Sequence, residues 1–154
     1  MSKLFSPLQM RSLTLRNRIF VSPMCMYSCE DGLPNDWHMV HLGSRAVGGA
    51  AMVIAEATAV APEGRISPRD CGLWNDAQAE AFAPVAAFIA AQGAVPAIQI
   101  GHAGRKASVV PPWQGGGAAA TDAGGWQTVA PSALPFGPAS PHPAELGAAD
   151  LEQI

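Results

Sequence analysis

Two side chains with reactive groups follow a short apolar segment near the start of the chain. Residues 19–21 predict a buried strand, and Pro23 removes a backbone donor, so regular pairing should end there. Cys25 and Tyr27, the only tyrosine of the chain, come directly afterwards. Because α/β enzymes build their sites at the carboxyl ends of strands, both residues are candidates for chemistry. The alternative is a buried structural thiol and a phenol at the edge of the core.

Polar side chains also occur in two later apolar segments. Gln99 stands in an otherwise apolar strand, and a buried amide without partners costs about 1–3 kcal/mol. We therefore expect Gln99 to have a specific companion, either a ligand or a neighbouring loop. Glu56 ends another apolar strand and could act as a general base with a raised pKa. An ion pair with Arg16 or Arg18 is the plainer interpretation.

Two histidines raise the possibility of a metal site. His38 and His41 lie three residues apart on one face of a predicted helix. With Glu56 or Cys71 they could bind a metal ion. Histidines near a helix start more often cap the helix or pack against it, so this interpretation stays an alternative.

The cysteines predict neither a disulfide framework nor a structural zinc site. Cys25, Cys29 and Cys71 make an odd count in a chain that starts without an export signal, so we expect reduced thiols. Cys25 and Cys29 are four residues apart rather than the three of a Cys-x-x-Cys pair, and no second pair follows at the distance typical of zinc ribbons.

Composition limits the classes of partner. The chain has 154 residues, of which 49% are hydrophobic and 14% charged, so much of it must be buried. The net charge of −3 is spread without runs of either sign, which argues against nucleic acid and membrane surfaces as partners. No segment approaches the ~20 apolar residues that span a bilayer. A cytoplasmic protein that binds small molecules is the expectation.

The order of predicted elements indicates a parallel sheet. Leucines and a phenylalanine in residues 4–15 predict an opening hairpin. Strands and helices then alternate, which implies right-handed crossovers in an α/β fold. The predicted strands are residues 19–21, 50–56 and 95–100. The predicted helices are residues 38–47, ended by Gly48 and Gly49, and a second region from Asn75 to Gly93 in which Pro84 starts a separate helical piece and Phe82, Val85, Phe88 and Ile89 face inward.

A long segment after the third strand lacks regular patterning. Residues 102–144 hold half of the 14 prolines and far exceed the ~12–15 residues usual for a loop. Trp113, Trp126 and Phe136 favour a functional excursion over disorder. Residues 145–154 predict the start of another helix. Three parallel strands cannot close a barrel and leave an edge open, so we infer part of a larger (β/α) fold.

Five segments, taken together and in order, resemble the Old Yellow Enzyme family, specifically its thermophilic-like branch that includes the xenobiotic reductases. They are residues 15–18, 22–27, 56–60 with 64–66, 99–106, and 130–133. The resemblance implies the N-terminal portion of a TIM (β/α)8 barrel, with about three βα units, an N-terminal hairpin and a long Pro/Gly-rich loop after strand 3. It also implies one FMN-binding domain over residues 1–154, with the rest of the barrel absent from this chain.

The resemblance assigns roles to individual residues. FMN would lie at the carboxyl ends of the strands and pass hydride from NADPH or NADH to the β-carbon of an activated alkene. Tyr27 would polarise the substrate carbonyl and Cys25 would tune the flavin. The cofactor-binding residues would be Ser22, Pro23, Met24, Cys25, Ala57 and Gln99. Three polar residues follow the third strand, namely His102, Arg105 and Lys106. They could either contact the cofactor or hold the long loop in place.

Partners and alternatives follow from the same resemblance. The expected partners are a complementary C-terminal barrel segment, a small activated alkene, and further copies of the complete barrel in a homo-oligomer. One alternative is a metal-dependent TIM-barrel hydrolase that uses His38, His41 and Glu56. A second alternative is a non-catalytic fragment whose role is assembly.

Overall fold

The chain opens with the predicted antiparallel hairpin. The computed structural model describes residues 2–152. Strand β1 (Leu8–Met10) pairs with β2 (Leu13–Leu15), and Leu8 lies opposite Leu15. Arg11 turns the chain with a φ of 50°. Leu15 is buried and attaches the hairpin to the body of the protein.

A parallel sheet of four strands follows. Its strands are β3 (Phe20–Val21), β4 (Met52–Ala59), β5 (Cys71–Gly72) and β6 (Val95–Gly101). The long strand β4 is central, with β6 along one side and with β3 and β5 at the two ends of the other side. The predicted parallel sheet is confirmed. The short strand β5 was not predicted, because two residues carry no periodicity.

The first helix forms at the predicted position, but it begins two residues before the predicted range of 38–47. Helix α1 (Asp36–Val47) begins at Asn35, whose side-chain oxygen accepts a hydrogen bond from the Trp37 amide. His38 completes this cap, since its Nδ1 accepts the backbone N–H of Asn35 at 3.0 Å. Gly48 ends the helix. His38 is thereby fixed at the start of α1, with its other ring nitrogen directed inward.

The second helix is continuous, although two pieces were predicted. Helix α2 (Asp76–Ala91) starts at Asn75, whose side chain accepts the Gln78 amide at 3.0 Å, as expected. Pro84 lies inside the helix. Because this turn is exposed, the Glu80 carbonyl that loses its partner can be hydrated, and the helix continues.

No helix within residues 2–152 is long and apolar enough to cross a membrane.

Both helices cover one face of the sheet. The core there consists of small and branched apolar side chains, namely Leu42, Ala46, Ala50, Val53, Ala55, Val85, Ile89 and Ala94. Of the predicted inward stripe of α2, Val85 and Ile89 are buried and Phe82 packs against the core, but Phe88 is 38% exposed. Phe88 lies over Gly43 of α1, where a Cβ atom would be 2.9 Å from its ring. Gly43 therefore permits the close packing of α1 on α2.

The other face of the sheet is open within the described residues. Phe20 is 37% exposed and Gln99 is exposed, so the prediction that both are buried is wrong. Successive residues of a strand point to opposite faces. Ile19 and Val21 therefore pack against the helix-covered core. Phe20 points away from it.

The long segment after β6 is irregular, as predicted, but it has defined contacts. It contains 3-10 turns, a bridge between Val109 and Ala118, and strand β7 (Val129–Ala130), which pairs with β8 (Ala144–Glu145). The prediction of a helix over residues 145–154 is wrong for the part of this range that the structure describes. That part contains the end of β8 and a 3-10 turn at Asp150–Glu152, and residues 153 and 154 lie outside the described part.

Trp126 anchors this long segment to the loop that follows β4. Its indole N–H donates to the Glu63 carbonyl at 2.9 Å. The Arg65 guanidinium lies between two indole rings, 5.5 Å from the centroid of Trp74 and 5.0 Å from that of Trp126. These cation–π contacts hold the long segment near the carboxyl ends of the strands.

Candidate functional site

The carboxyl ends of the parallel strands meet at one rim of the sheet. A cleft of about 200 Å³ opens there between the ends of β4 and β6. Its lining includes Ala57, Asp70, Gln99 and His102. The segment after β3, residues 22–29, lies beside this cleft, because the Cys25 thiol reaches the backbone of Ala57. The fold thus brings the segments predicted to hold a ligand to one place.

Cys25 is a half-buried free thiol at this rim. Burial raises its pKa, and the negative charges of Asp70 and Glu56 raise it further. A hydrogen bond with the backbone of Ala57 partly offsets these effects. The thiol is therefore protonated at neutral pH and presents an S–H group rather than a thiolate.

Tyr27 follows with its hydroxyl next to the Cys25 thiol. Burial is the main cause that raises the Tyr27 pKa, followed by Cys25 and the carboxylates of Asp70 and Glu56. Its backbone has a φ of 51°, a left-handed conformation that is uncommon outside glycine. The neutral phenol can donate a hydrogen bond to an acceptor in the cleft.

Trp113 covers the ring of Tyr27. The two rings meet edge to face, with centroids 5.6 Å apart and planes at 76°. Trp113 belongs to the long segment after β6 and is 66% exposed. The sequence marked Trp113 as part of an excursion but gave no signal that it meets Tyr27.

Glu56 holds the segment that carries both residues. It lies at a bulge in β4, where the register shifts between Ala55 and Ala57. Its Oε2 accepts the Met26 amide at 2.7 Å, and its Oε1 lies 3.1 Å from His38 Nε2. Since Glu56 is only 3% exposed, both contacts are made away from water.

The predicted ion pair between Glu56 and an arginine is wrong. The Arg16 guanidinium donates to the carbonyls of Ala46 and Ala50 at 3.0 and 2.8 Å. The Arg18 side chain donates to Ser6 Oγ at 3.3 Å. Arg16 therefore links the segment after the hairpin to the end of α1, and Arg18 links the same segment to the residues before β1. The carboxylate instead pairs with the histidine that caps α1.

Asp70 was missed by the sequence interpretation. It is 1% exposed and lines the cleft, and its carboxylate accepts the Ser67 hydroxyl and the Ile66 amide, each at 2.8 Å. Burial raises its pKa from 3.8 to about 6, even though these hydrogen bonds act in the opposite direction. The spacing of Ser67 and Asp70 is typical of a side-chain-bonded turn, which was the available signal.

The remaining predicted cofactor residues are spread around the rim. Ser22 and Met24 are exposed and Pro23 is half-buried. Gln99 is exposed and lines the cleft. These positions agree with a ligand-facing surface, and their roles stay predictions.

The polar cluster after β6 serves mainly the long segment. Arg105 donates to the Leu134 carbonyl at 2.8 Å and to Ser132 Oγ at 3.0 Å. The Lys106 ammonium lies 4.3 Å from the Phe136 ring centroid. His102 differs, because its Nε2 is buried and has no hydrogen-bond partner within the described part of the chain.

Cys29 and Cys71 are joined as a disulfide, so the expectation of reduced thiols is wrong for this pair. Their Cα atoms are 5.5 Å apart although 42 residues separate them in sequence. His38 Nε2 lies 3.4 Å from the Cys29 sulfur and 3.3 Å from the Cys71 sulfur. Counting cysteines could not reveal this meeting, because it depends on how β5 pairs with β4.

The predicted metal site of His38, His41 and Glu56 does not form. Within residues 2–152, the group of side chains with metal-ligand spacing is Cys29, His38 and Cys71. The ring of His41 instead stacks on Trp37, with centroids 6.1 Å apart and planes 8° apart. The alternative of a metal-dependent hydrolase thereby loses its ligand set.

Comparison with known proteins decides the family. Residues 3–130 match the NADH:flavin oxidoreductase / NADH oxidase family. The chain belongs to this family. An NADPH dehydrogenase of Geobacillus sp. (strain WCH70) is 43% identical over 152 residues, which cover 97% of this chain and 40% of that protein. The resemblance to Old Yellow Enzyme relatives is confirmed.

Solved structures of flavin oxidoreductases share the fold. Morphinone reductase in complex with tetrahydroNAD is 29% identical with a TM-score of 0.81, and the match covers 99% of this chain and 43% of that one. The Old Yellow Enzyme homologue from Zymomonas mobilis is 26% identical with a TM-score of 0.78, over 99% and 42%. These matches confirm an N-terminal portion of the family's barrel. The chain spans about 40% of the length of the relatives it matches.

Proposed function

We propose that this chain is the N-terminal portion of an FMN-dependent ene-reductase. With the rest of the barrel, it would transfer hydride from NADPH or NADH to the β-carbon of an activated alkene such as an enone, enal or maleimide. The observation that carries the proposal is the meeting of the Cys25 thiol, the Tyr27 hydroxyl and the Ala57 backbone at the carboxyl ends of the strands. Membership of the flavin oxidoreductase family supports the cofactor and the reductant.

The rim fits the isoalloxazine ring of FMN. The exposed amide of Gln99 offers a donor and an acceptor, as the pyrimidine edge of a flavin requires. His102 Nε2 is buried at the same cleft without a partner in the described residues, so a further polar group is needed beside it. The residues that would hold the cofactor are Ser22, Pro23, Met24, Cys25, Ala57 and Gln99. Bound there, FMN would supply hydride transfer between nicotinamide and alkene.

Tyr27 is proposed to polarise the substrate. A hydrogen-bond donor close to the carbonyl oxygen stabilises the negative charge that develops there in the transition state. Tyr27 suits this role because its raised pKa keeps the phenol protonated across the neutral range. Its contact with Trp113 restricts the ring to one orientation.

Cys25 is proposed to tune the cofactor. Its raised pKa means that a neutral S–H group, rather than a thiolate, faces the rim. A neutral sulfur adds little charge but is polarisable, so it changes the electronic environment of a bound ring. Glu56 supports both residues as a positioning residue, because it accepts the Met26 amide between them.

The remainder of the barrel is the proposed macromolecular partner. Strand β6 pairs with β4 on one side, and within residues 2–152 no strand pairs with its other edge. An apolar cleft of about 300 Å³ opens beside it, lined by Phe82, Ile89 and Ile98 among others. A further strand and helix would cover both features. The homo-oligomer and the cytoplasmic location stay predictions.

The test combines this chain with a complementary C-terminal segment from a full-length relative. We expect a flavin absorption band that NADPH bleaches without oxygen and cyclohexenone restores, and no turnover by the chain alone. Tyr27→Phe should lower kcat/KM for cyclohexenone about 100-fold and leave the flavin spectrum unchanged. Cys25→Ser is the matched control, since it should shift the flavin potential with a smaller loss of turnover.

Two results would contradict the proposal. A correctly assembled complex that binds no flavin would remove the cofactor assignment. A complex that binds flavin but is not reduced by NADPH would instead favour a fragment whose role is assembly.

A further inference from the structure

Three potential metal ligands converge behind the rim, and the carboxylate of Glu56 lies next to one of them. Cys29 and Cys71 are fully buried, and His38 and Glu56 are 1% and 3% exposed. The two sulfur atoms and the ring nitrogen all lie within 4.8 Å of one another. His38 Nε2 lies at the centre of the group, 3.4 and 3.3 Å from the sulfurs and 3.1 Å from Glu56 Oε1.

We propose that these four side chains bind one zinc ion when the Cys29–Cys71 pair is reduced. Two thiolates, an imidazole and a carboxylate are the donor types of tetrahedral zinc. With Zn–N and Zn–O of ~2.1 Å and Zn–S of ~2.3 Å, neighbouring ligands in a tetrahedron are roughly 3.3–3.8 Å apart. The three separations measured from His38 Nε2 are close to these values. The sulfurs must move apart, which reduction of their bond permits. The Glu56 carboxylate must also approach them, since it lies outside the group of three ligands within 4.8 Å of one another.

The chemistry of this change balances. A thiol reductant such as dithiothreitol gives two electrons and two protons to the disulfide and is itself oxidised to a disulfide. Zinc then replaces the two thiol protons, which leave to solvent. In the present cap, His38 Nδ1 accepts the Asn35 amide, so Nε2 bears the ring proton. Zinc binding moves that proton to Nδ1.

The surroundings provide partners for the bound form. Once Nδ1 carries the proton, it can donate to Asn35 Oδ1, which already lies 3.2 Å away. Ligating histidines usually donate their second ring N–H to an oxygen in this way. Glu56 Oε2 keeps the Met26 amide at 2.7 Å, which leaves Oε1 for the metal. Zinc binding breaks the hydrogen bond that the backbone N–H of Asn35 donates to His38 Nδ1.

The site would connect four separate parts of the fold. Cys29 comes two residues after Tyr27, and His38 lies in the first turn of α1. Glu56 lies in β4, and Cys71 begins β5. A metal ion here would fix the segment that carries Tyr27 from behind, without contact with the cleft. The proposal does not depend on the proposed flavin chemistry, so either can fail alone.

Cobalt binding provides the first experiment. The chain is reduced without oxygen, freed of metal with a chelator, and titrated with Co²⁺, which reports tetrahedral thiolate coordination by its absorption. We expect saturation at one equivalent and displacement of cobalt by zinc. Cys71→Ser should weaken binding at least about 100-fold, and Glu56→Gln should weaken it less. Cys25→Ser is the matched control and should bind as the unchanged chain does.

Alkylation of the unchanged chain tests the proposal without any variant that could fail to fold. The chain is first reduced and freed of excess reductant. With zinc present, Cys29 and Cys71 should then react with iodoacetamide at least about tenfold more slowly than without zinc, while Cys25 keeps its rate. Equal rates with and without zinc would overturn the proposal, as would protection of Cys25 instead. A Cys29–Cys71 disulfide that persists in reductant would also overturn it and leave a permanent covalent link.

Discussion

The helix-covered face of the sheet and the rim at its carboxyl ends both contain buried side chains, but these are of opposite chemical kinds. The face consists of apolar side chains such as Val53 and Ile89, which need only close packing. The rim buries carboxylates, Glu56 and Asp70, each with two hydrogen-bond contacts. Burial of a charge opposes folding, whereas burial of a methyl group favours it. Stability therefore comes from the face, and the rim is arranged for chemistry.

The largest expected effect tests the apolar face. Ile89→Ala removes a side chain that is 3% exposed, so the free energy of unfolding should fall by about 3 kcal/mol. Urea denaturation of the chain measures this free energy. Ile89→Val is the control and should lower it by about 1 kcal/mol. In the assembled complex the flavin affinity should not change. A parallel loss of flavin affinity would show that face and rim are not separable.

A smaller effect, of opposite sign, is expected at the rim. The folded-state pKa of Asp70, about 6, lies above its ordinary value of 3.8, so the folded chain holds a proton that the unfolded chain has lost. The stabilisation of the folded chain by this proton is present below about pH 4 and is lost as pH rises through 6. Between about pH 4 and pH 7 the free energy of unfolding should therefore fall by roughly 2 kcal/mol through this group.

Asp70→Asn should remove that slope. Comparison of urea denaturation at several pH values for both proteins cancels the titration of all other groups. At neutral pH the variant should be at least as stable as the unchanged chain. If the free energy of unfolding of the variant falls with pH as steeply as that of the unchanged chain, Asp70 is charged over this whole pH range. Its burial then does not cause the fall.

The smallest effect concerns the long segment over the rim. Trp113→Ala removes one aromatic contact with Tyr27 from a largely exposed side chain, so the free energy of unfolding should fall by about 0.5–1 kcal/mol. Trp113→Phe should retain most of the contact. A loss as large as that of Ile89→Ala would place this segment in the core rather than over the rim.

Much of the fold could be predicted because apolar runs and caps are local signals. The apolar strands β4 and β6 and the cap at Asn75 were predicted from neighbouring residues, whereas the cap at Asn35 was not predicted. The exposed side of Phe20 was not, because burial depends on what covers a strand. The continuity of α2 through Pro84 also depends on hydration of one carbonyl.

At the candidate site, sequence motifs identified the segments but not all of their contacts. Cys25 and Ala57 were selected separately, and the structure brings them together. Asp70 was missed although its spacing from Ser67 was a local signal. The contact between Tyr27 and Trp113 was missed because it joins residues from different loops. Glu56 was assigned the wrong partner, because an arginine, which is always charged, was a more obvious choice for a carboxylate than a capping histidine.

The sequence by itself determined the family, the parallel α/β order and the rim-forming segments, because these depend on local patterns of residue types. The tertiary structure decided which side chains meet across 42 residues, as Cys29 and Cys71 do, and how the bulge at Glu56 aims its carboxylate at both Met26 and His38. Such meetings depend on strand register, and register is set by the packing of the whole sheet rather than by any one segment.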